Sequence, residues 1–445
     1  MIRTSRLLAL VACAPFLGAS CGGETGKATS GGEAKEIVVW WAKWAPADGL
    51  QKLGERYEKE TGVRVSVQQT PWSDYQRKVF QEFGANHTAF DVVVGDSQWI
   101  GSAVADGFYL DLTDWLEQHI DVSKIHQRAA KYLCEYPQGS GRFYAAPCET
   151  DSMGCAYRTD WFEDPKEKEA FRARYGYDLA VPKTWKELRE IAEFFQRPAE
   201  QRYGIAYVTG RDYDGMTMGF QQLMWAFGGA WADEKGNPRG VLDSEASAKA
   251  LEFLIELIRL GPKGAANSDY GQTVTNYTNG SCAMVMNYFA FFPDVLKSPI
   301  VGTKTGFFVM PTQDGKRGVS LGGQGMSIST KTSAEKQALA KDFIEWFLKP
   351  EIQRAWIGMD GCFTADAAIL KSEEFARATP FNRPFVESMD DMRDFWNIPE
   401  FGDLLSIAQR YLTEAVDGKL TPKEALEHMA TEQEQVLREA GVIQG

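Results

Sequence analysis

The sequence predicts an α/β fold, with helices layered on a largely parallel sheet. Two short stretches and the spacing around them carry that reading. Residues Val63, Arg64, Val65, Ser66 and Val67 alternate apolar and polar side chains with the period of a half-buried strand. Residues Phe90, Asp91, Val92, Val93 and Val94 form an apolar run suited to a buried parallel strand. Helical stretches precede each of them, and strand, helix, strand, helix, strand is the order of an α/β sandwich.

In chain order, Glu36, Ile37, Val38, Val39, Trp40 and Trp41 form a β-branched, aromatic first strand, followed by a loop over 42–47. A helix is expected over 48–62, with Asp48 as its capping type and Gly62 as its stop. A second helix spans 73–83. Thr184, Trp185, Lys186 and Glu187 make a capping box that opens an amphipathic helix running to Phe195. Ser244 caps a further helix that Gly261 and Pro262 stop. Residues 281–287 and 306–310 read as strands, and 322–329 as a glycine-rich turn entering a strand. Ser333 caps a helix ending near Lys349 and Pro350, and the last third of the chain is helical.

The length of 445 residues suits two or three domains, and 44% apolar with 24% charged residues is an ordinary globular balance. The net charge of −13 argues against nucleic acid and anionic lipid as partners. The content of 13 Trp, 16 Tyr and 26 Phe is high, and several Trp fall in loops beside strands, where core packing is the less natural role.

Arg3 and Arg6 precede an apolar run from Leu7 to Leu17, too short to span a bilayer and of signal-peptide length. Gly18, Ala19 and Ser20 lead to Cys21 in a pattern that resembles a bacterial lipobox, which implies a signal peptide over 1–20 and a lipidated Cys21. Gly18 stands where lipoboxes usually carry Leu. The Gly/Ser/Thr-rich stretch over 22–35 reads as a flexible tether. The protein is therefore expected to be exported and held to a membrane. Cys134, Cys148, Cys155, Cys282 and Cys362 follow, and a local disulfide among the first three is expected without fixed connectivity. No CxxC occurs and the four His are scattered, so neither a metal site nor a cofactor is expected.

Four segments together resemble the extracellular solute-binding proteins of family 1, the maltose-binding-protein-like sugar receptors of ABC importers. They are Val38 to Trp44 with Glu60, Thr61, Gly62 and Val63; Phe90 to Trp99; Tyr157, Arg158, Thr159, Asp160, Trp161 and Phe162 joined by Pro182 to Leu188; and Gly322 through Phe343, Ile344, Glu345, Trp346 and Phe347 to Gln353. The resemblance implies a two-lobed periplasmic-binding-protein fold (type II-like) with three hinge crossovers and ligand in the cleft. The first lobe is expected over 36–148 plus 303–349 and the second over 149–302 plus 350–445. It implies a monomer that delivers a carbohydrate to a membrane permease.

A sugar presents hydroxyl pairs and flat patches of C–H, so its site needs planar rings with amides or carboxylates. Trp41, Lys43 and Trp44 lie after the first strand on the side that faces the cleft of an α/β sheet; Trp40 is the expected core member. Trp72 lies between a strand and a helix. Ser97 and Gln98 follow the third strand beside Asp96, whose competing role is a helix cap. Asp151 falls where the family places a carboxylate against sugar hydroxyls, with Glu149 near it. Asn287, Tyr288 and Phe289 end a strand where the family places an aromatic platform, and Gly323 and Gln324 resemble its glycine-rich ligand turn. Asp214 and Trp225 are weaker candidates. The same fold binding glycerol-3-phosphate or a polyamine is the alternative, and a secreted glycoside hydrolase the remote one. No catalytic residues are assigned: no GxSxG, HExxH, Walker loop or GxGxxG after a strand occurs.

Overall fold

A computed structural model describes residues 35–443; the signal segment, Cys21 and the tether up to residue 34 lie outside the described residues. Strand β1 (Glu36–Ala42) buries Ile37, Val39 and Trp41 on one face, as strand alternation requires. Pro46 sits in the first turn of helix Ala45–Thr61, which starts three residues earlier than the Asp48 cap predicts, and Gly62 at φ +76° ends it. Strand β2 (Arg64–Thr70) and strand β3 (Val92–Asp96) both run parallel to β1, on its two sides. Helix Trp72–Phe83 links them and buries Tyr75, Val79 and Phe83. The alternation expected from the sequence is thus realised as a parallel α/β unit with its strand C-terminal ends on one side.

The remaining strands are β4 (Ala146–Arg158), β5 (Tyr203–Ala206), β6 (Cys282–Tyr288) and β7 (Thr305–Phe308), the short hairpin β8 (Thr312–Gln313) and β9 (Lys316–Arg317), then β10 (Val319–Ile328) and the two-residue β11 (Met392–Arg393). The order of the main sheet is β2-β1-β3-β10-β4-β6-β5, with β7 beside β4 and β11 beside β10, while β8 and β9 pair apart. Two strands hold it together. The Gln324–Ile328 end of β10 pairs antiparallel with β3, while its Leu321–Met326 stretch pairs with β4. The Cys155–Arg158 end of β4 pairs with β7, and Met153 to Tyr157 pair with β6. Helices cover the sheet, among them Trp185–Phe195, opened by the Thr184–Glu187 capping box, and Ala334–Phe347, capped by Ser333. No helix among the described residues is long and apolar enough to cross a membrane.

Three expectations are corrected here. Residues 322–329 are strand rather than turn, and the glycines serve close backbone approach. Gly323 has φ +94°, and a Cβ there would stand 2.1 Å from the Glu149 carbonyl oxygen, beside the register shift at Gln324/Gly325. Gly323→Ala is expected to destabilise the protein by roughly 1–3 kcal/mol from backbone strain, with the clash added; an unchanged urea midpoint would refute that role. The expected disulfide is absent, since all five cysteines of the described residues are free and buried. Cys148 and Cys155 lie seven residues apart on the same strand, roughly 23 Å at strand rise, far beyond disulfide reach. Trp41 belongs to β1 rather than to the loop after it, and the expected roles of Trp40 and Trp41 are exchanged. Trp41 is fully buried and stacked on Trp356 at 6.3 Å, whereas Trp40 is half-buried and donates to Gln68.

Candidate ligand-binding cleft

The C-terminal ends of β1 and β3 and the crossing of β4 with β10 meet at a cavity of about 360 Å³, within the range of small-molecule sites. One wall comes from the turn after β1. Trp44 stands edge-on to Trp41 at 5.6 Å and 6.2 Å from Phe291, and its buried Nε1 has no hydrogen-bond partner. Lys43 lines the same wall and is exposed at the mouth. Pro71 ends β2 and turns Trp72 into the cavity, where it stacks on Trp99 at 6.1 Å. The Trp72 Nε1 donates to Asp214 Oδ1 at 3.3 Å. That carboxylate also accepts from the Tyr270 hydroxyl at 3.0 Å, so one oxygen ties together residues from three segments.

Asp96 ends β3, and neither it nor Ser97 caps the following turn through its side chain. Instead Ser97 and Gln98 donate to the two Asp96 carboxylate oxygens at 3.3 and 3.4 Å. Asp96 and Gln98 line the cavity; Ser97 does not. The Gln98 Oε1 is buried and unpartnered. From β4, Asp151 reaches the cavity and accepts from the backbone N–H groups of Ser152 and Ala290 at 2.7 and 3.1 Å. Glu149 is sealed beneath it and accepts from the Phe363 N–H. Gln324 lines the cavity and accepts from Trp41 Nε1 at 3.3 Å, and Gly322 and Gly323 line it beside Tyr288.

The sequence-predicted residues divide. Lys43, Trp44, Trp72, Gln98, Asp151, Tyr288, Gly323 and Gln324 come together on the cavity wall; Trp41, Ser97, Asn287 and Phe289 do not. Trp41 packs under the site. Asn287 spends its amide on the Tyr270 carbonyl and the Tyr288 N–H, so it positions two cavity rings without facing the cavity. Phe289 is buried against Gly154, where a Cβ would meet its ring at 2.1 Å. Phe291, two residues on, supplies the platform and stacks on Tyr270 at 5.8 Å. Trp225 is core, in helix Gly215–Phe227. Sequence reasoning missed Tyr270, Phe291, Met218, Asp212 and Asp269 and underrated Asp214. The aspartates had one local signal: Asp212 and Asp214 flank a tyrosine in a glycine-bounded loop, and Asp269 caps the helix that Tyr270 opens.

The electrostatics are one-sided. Burial pushes Asp151 and Asp214 up to about 7. Asp96 is raised well above its ordinary value by burial and then by Asp394 and Asp214. Asp394, in contact with Ser97, is likewise pushed up to about 7 by burial. Glu149 is raised by burial and the neighbouring Asp151. Carboxylates removed from water without a cation hold their protons. The arrangement offers hydrogen-bond acceptors and aromatic faces to a small hydroxylated molecule.

The sequence model of the bacterial extracellular solute-binding proteins matches residues 41–354. The chain belongs to that family. Among curated relatives, the mannitol-binding protein of Pseudomonas aeruginosa is 24% identical over 308 residues, which is 64% of this chain and 67% of the relative. Among solved structures, maltose-bound T. maritima MalE3 superposes with a TM-score of 0.78 at 24% identity, covering 91% of this chain and all of that one. A solute-binding protein of an ABC transporter from Agrobacterium radiobacter in complex with ribitol gives 0.77 at 22%, with 90% and 98% covered. The two-lobed solute-binding-protein fold expected from the sequence is the fold observed.

Proposed function

We propose that this extracellular solute-binding protein captures a sugar or sugar alcohol and hands it to the permease of an ABC importer. The observation that carries the reading is the cavity itself. Trp44, Trp72, Tyr270 and Phe291 set flat faces around a space of about 360 Å³, and Asp96, Gln98, Asp151 and Gln324 stand between them. Rings take the C–H faces of a sugar and acceptors take its hydroxyls. Relatives named for mannitol and ribitol support the same class. A phosphate ligand fits poorly, since exposed Lys43 is the one Lys or Arg among the lining residues. The carboxylates serve binding; no hydrolytic role is assigned to them.

The remaining parts of the proposal rest on the sequence and on strand pairing. Export through the segment 1–20, a lipid on Cys21 and a monomeric receptor complete it. The first lobe comprises 36–148 with residues from Gln324 to Trp356, and the second takes the rest. The middle crossing then lies within β10 rather than near Thr303, because Thr305–Phe308 pairs with the Cys155–Arg158 end of β4. The last crossing follows Trp356 rather than Pro350, because Trp356 stacks on Trp41.

The test is calorimetric titration of residues 35–445 with ribitol, D-mannitol, maltose, glycerol-3-phosphate and spermidine. Saturation with a polyol or sugar is expected; a response to the phosphate or to spermidine alone would overturn the ligand class. Trp44→Ala is expected to weaken binding of the responding solute by about 1–3 kcal/mol, roughly 5- to 150-fold, through lost ring contact. Its melting temperature should stay near wild type, since Trp44 is only half-buried. Unchanged affinity would remove the ring from the site.

A further inference from the structure

The deep part of the cleft holds more carboxyl groups than a neutral sugar requires. Asp96, Asp151 and Asp214 are each less than one-tenth exposed and line the cavity. None of the three, nor Asp394 beside Ser97, has a Lys, Arg or His within ion-pair reach among the described residues. Their partners are neutral donors: Ser97 and Gln98 for Asp96, Ser152 and Ala290 N–H groups for Asp151, Trp72 and Tyr270 for Asp214. Lys43, the lone cationic lining residue, is exposed at the mouth and makes no ion pair with any of these carboxyls.

A second observation points the same way. Gln98 is 2% exposed, lines the cavity, and leaves its Oε1 without a partner. A buried acceptor with nothing to accept costs roughly 1–3 kcal/mol, so the site is built for a molecule that donates. The opposite need is found once, at the Trp44 Nε1, which is buried without an acceptor. The wall thus leaves one acceptor and one donor vacant, with the acceptor set among the buried carboxyl groups and the rings of Trp72, Tyr270 and Phe291. Buried carboxylates are stabilised by a cation, and aromatic faces attract one.

We infer that the solute is a hydroxylated compound carrying a protonated amine, an amino sugar or amino polyol, whose ammonium group sits among Asp96, Asp214 and Gln98 while a hydroxyl oxygen accepts from Trp44. The inference rests on the sugar-binding reading and narrows it. Ammonium contributes several donors and the missing positive charge; a hydroxyl in its place supplies one donor and no charge.

The test compares matched pairs by calorimetry at pH 7.5 on residues 35–445: 1-amino-1-deoxy-D-sorbitol against D-sorbitol, and D-glucosamine against D-glucose, with spermidine as a third arm. The expected result is at least tenfold tighter binding of the amine in one pair, and a preference that shrinks severalfold in Asp214→Asn. Equal or tighter binding of the hydroxyl compound overturns this inference and leaves the sugar-binding reading standing. Binding of spermidine with silence from every hydroxylated compound, or silence throughout, removes both. A preference that Asp214→Asn leaves untouched overturns the placement of the amine.

Discussion

Trp41→Ala is expected to cost the folded protein about 3–5 kcal/mol, the range for deleting a fully buried tryptophan. Trp41 is 0% exposed, stacks on Trp356, meets Trp44 edge-on, and donates its Nε1 to Gln324 Oε1. Alanine leaves a cavity on the inner face of β1 and a buried Gln324 oxygen without a donor, and the second defect adds to the first. Because Trp44 and Gln324 both line the cleft, ligand affinity should fall along with stability. Urea denaturation followed by fluorescence reads the first effect and calorimetry the second. A midpoint close to wild type would mean that Trp41 is not the packing centre described here. The contrast with Trp44→Ala is the informative part: adjacent aromatic positions, one expected to move stability and the other mainly affinity.

Asp214→Asn is expected to make stability less sensitive to pH. Burial lifts the Asp214 carboxyl from its ordinary 3.8 to about 7, with Asp212 adding to the rise and donation from Trp72 and Tyr270 opposing it. Asp96, Tyr213, Tyr270 and Tyr288 are the other titratable groups that feel its charge. Below pH 4 the group is protonated in both folded and unfolded chains and makes no difference. From pH 4 to 7 the unfolded chain has released the proton and the folded chain holds it, so stability falls as pH rises. Above 7 the loss is complete, and a full shift of that size corresponds to roughly 4 kcal/mol. Asparagine keeps an oxygen for Trp72 and Tyr270 and has no proton to lose. The stability of the variant minus that of wild type should therefore grow between pH 4 and 7 and then level off. Chemical denaturation of both proteins at pH 4, 5.5 and 7.5 measures the difference; parallel profiles would place Asp214 in a wetter setting than its burial indicates.

The strands and caps were legible because each depends on neighbours in sequence. The alternation at Val63 to Val67, the Thr184 capping box and the Ser244 and Ser333 caps all stand where local chemistry puts them. Legibility failed where a side chain could face either way. Strand β1 is apolar on both faces, so Trp40 and Trp41 look alike until helices settle which side is covered. Phe289 and Phe291 differ only by the turn between β6 and the helix after it, and that turn decides which ring meets the cavity. Tyr270 and Asp214 were hard to find for another reason: they lie far apart in sequence from Trp72, and only the fold brings the three into one hydrogen-bonded group.

The placement of β10 between β3 and β4 has a consequence for how the chain is made. Gln324 lies beside Asp96 on one side and Glu149 on the other, so the gap between the two earlier strands stays open until synthesis has passed Ile328. Contacts so distant in sequence form slowly, because the intervening loop must be closed before they repay its entropy. A sheet that cannot close early waits for its middle strand, so the strand that completes the binding cleft also times the folding.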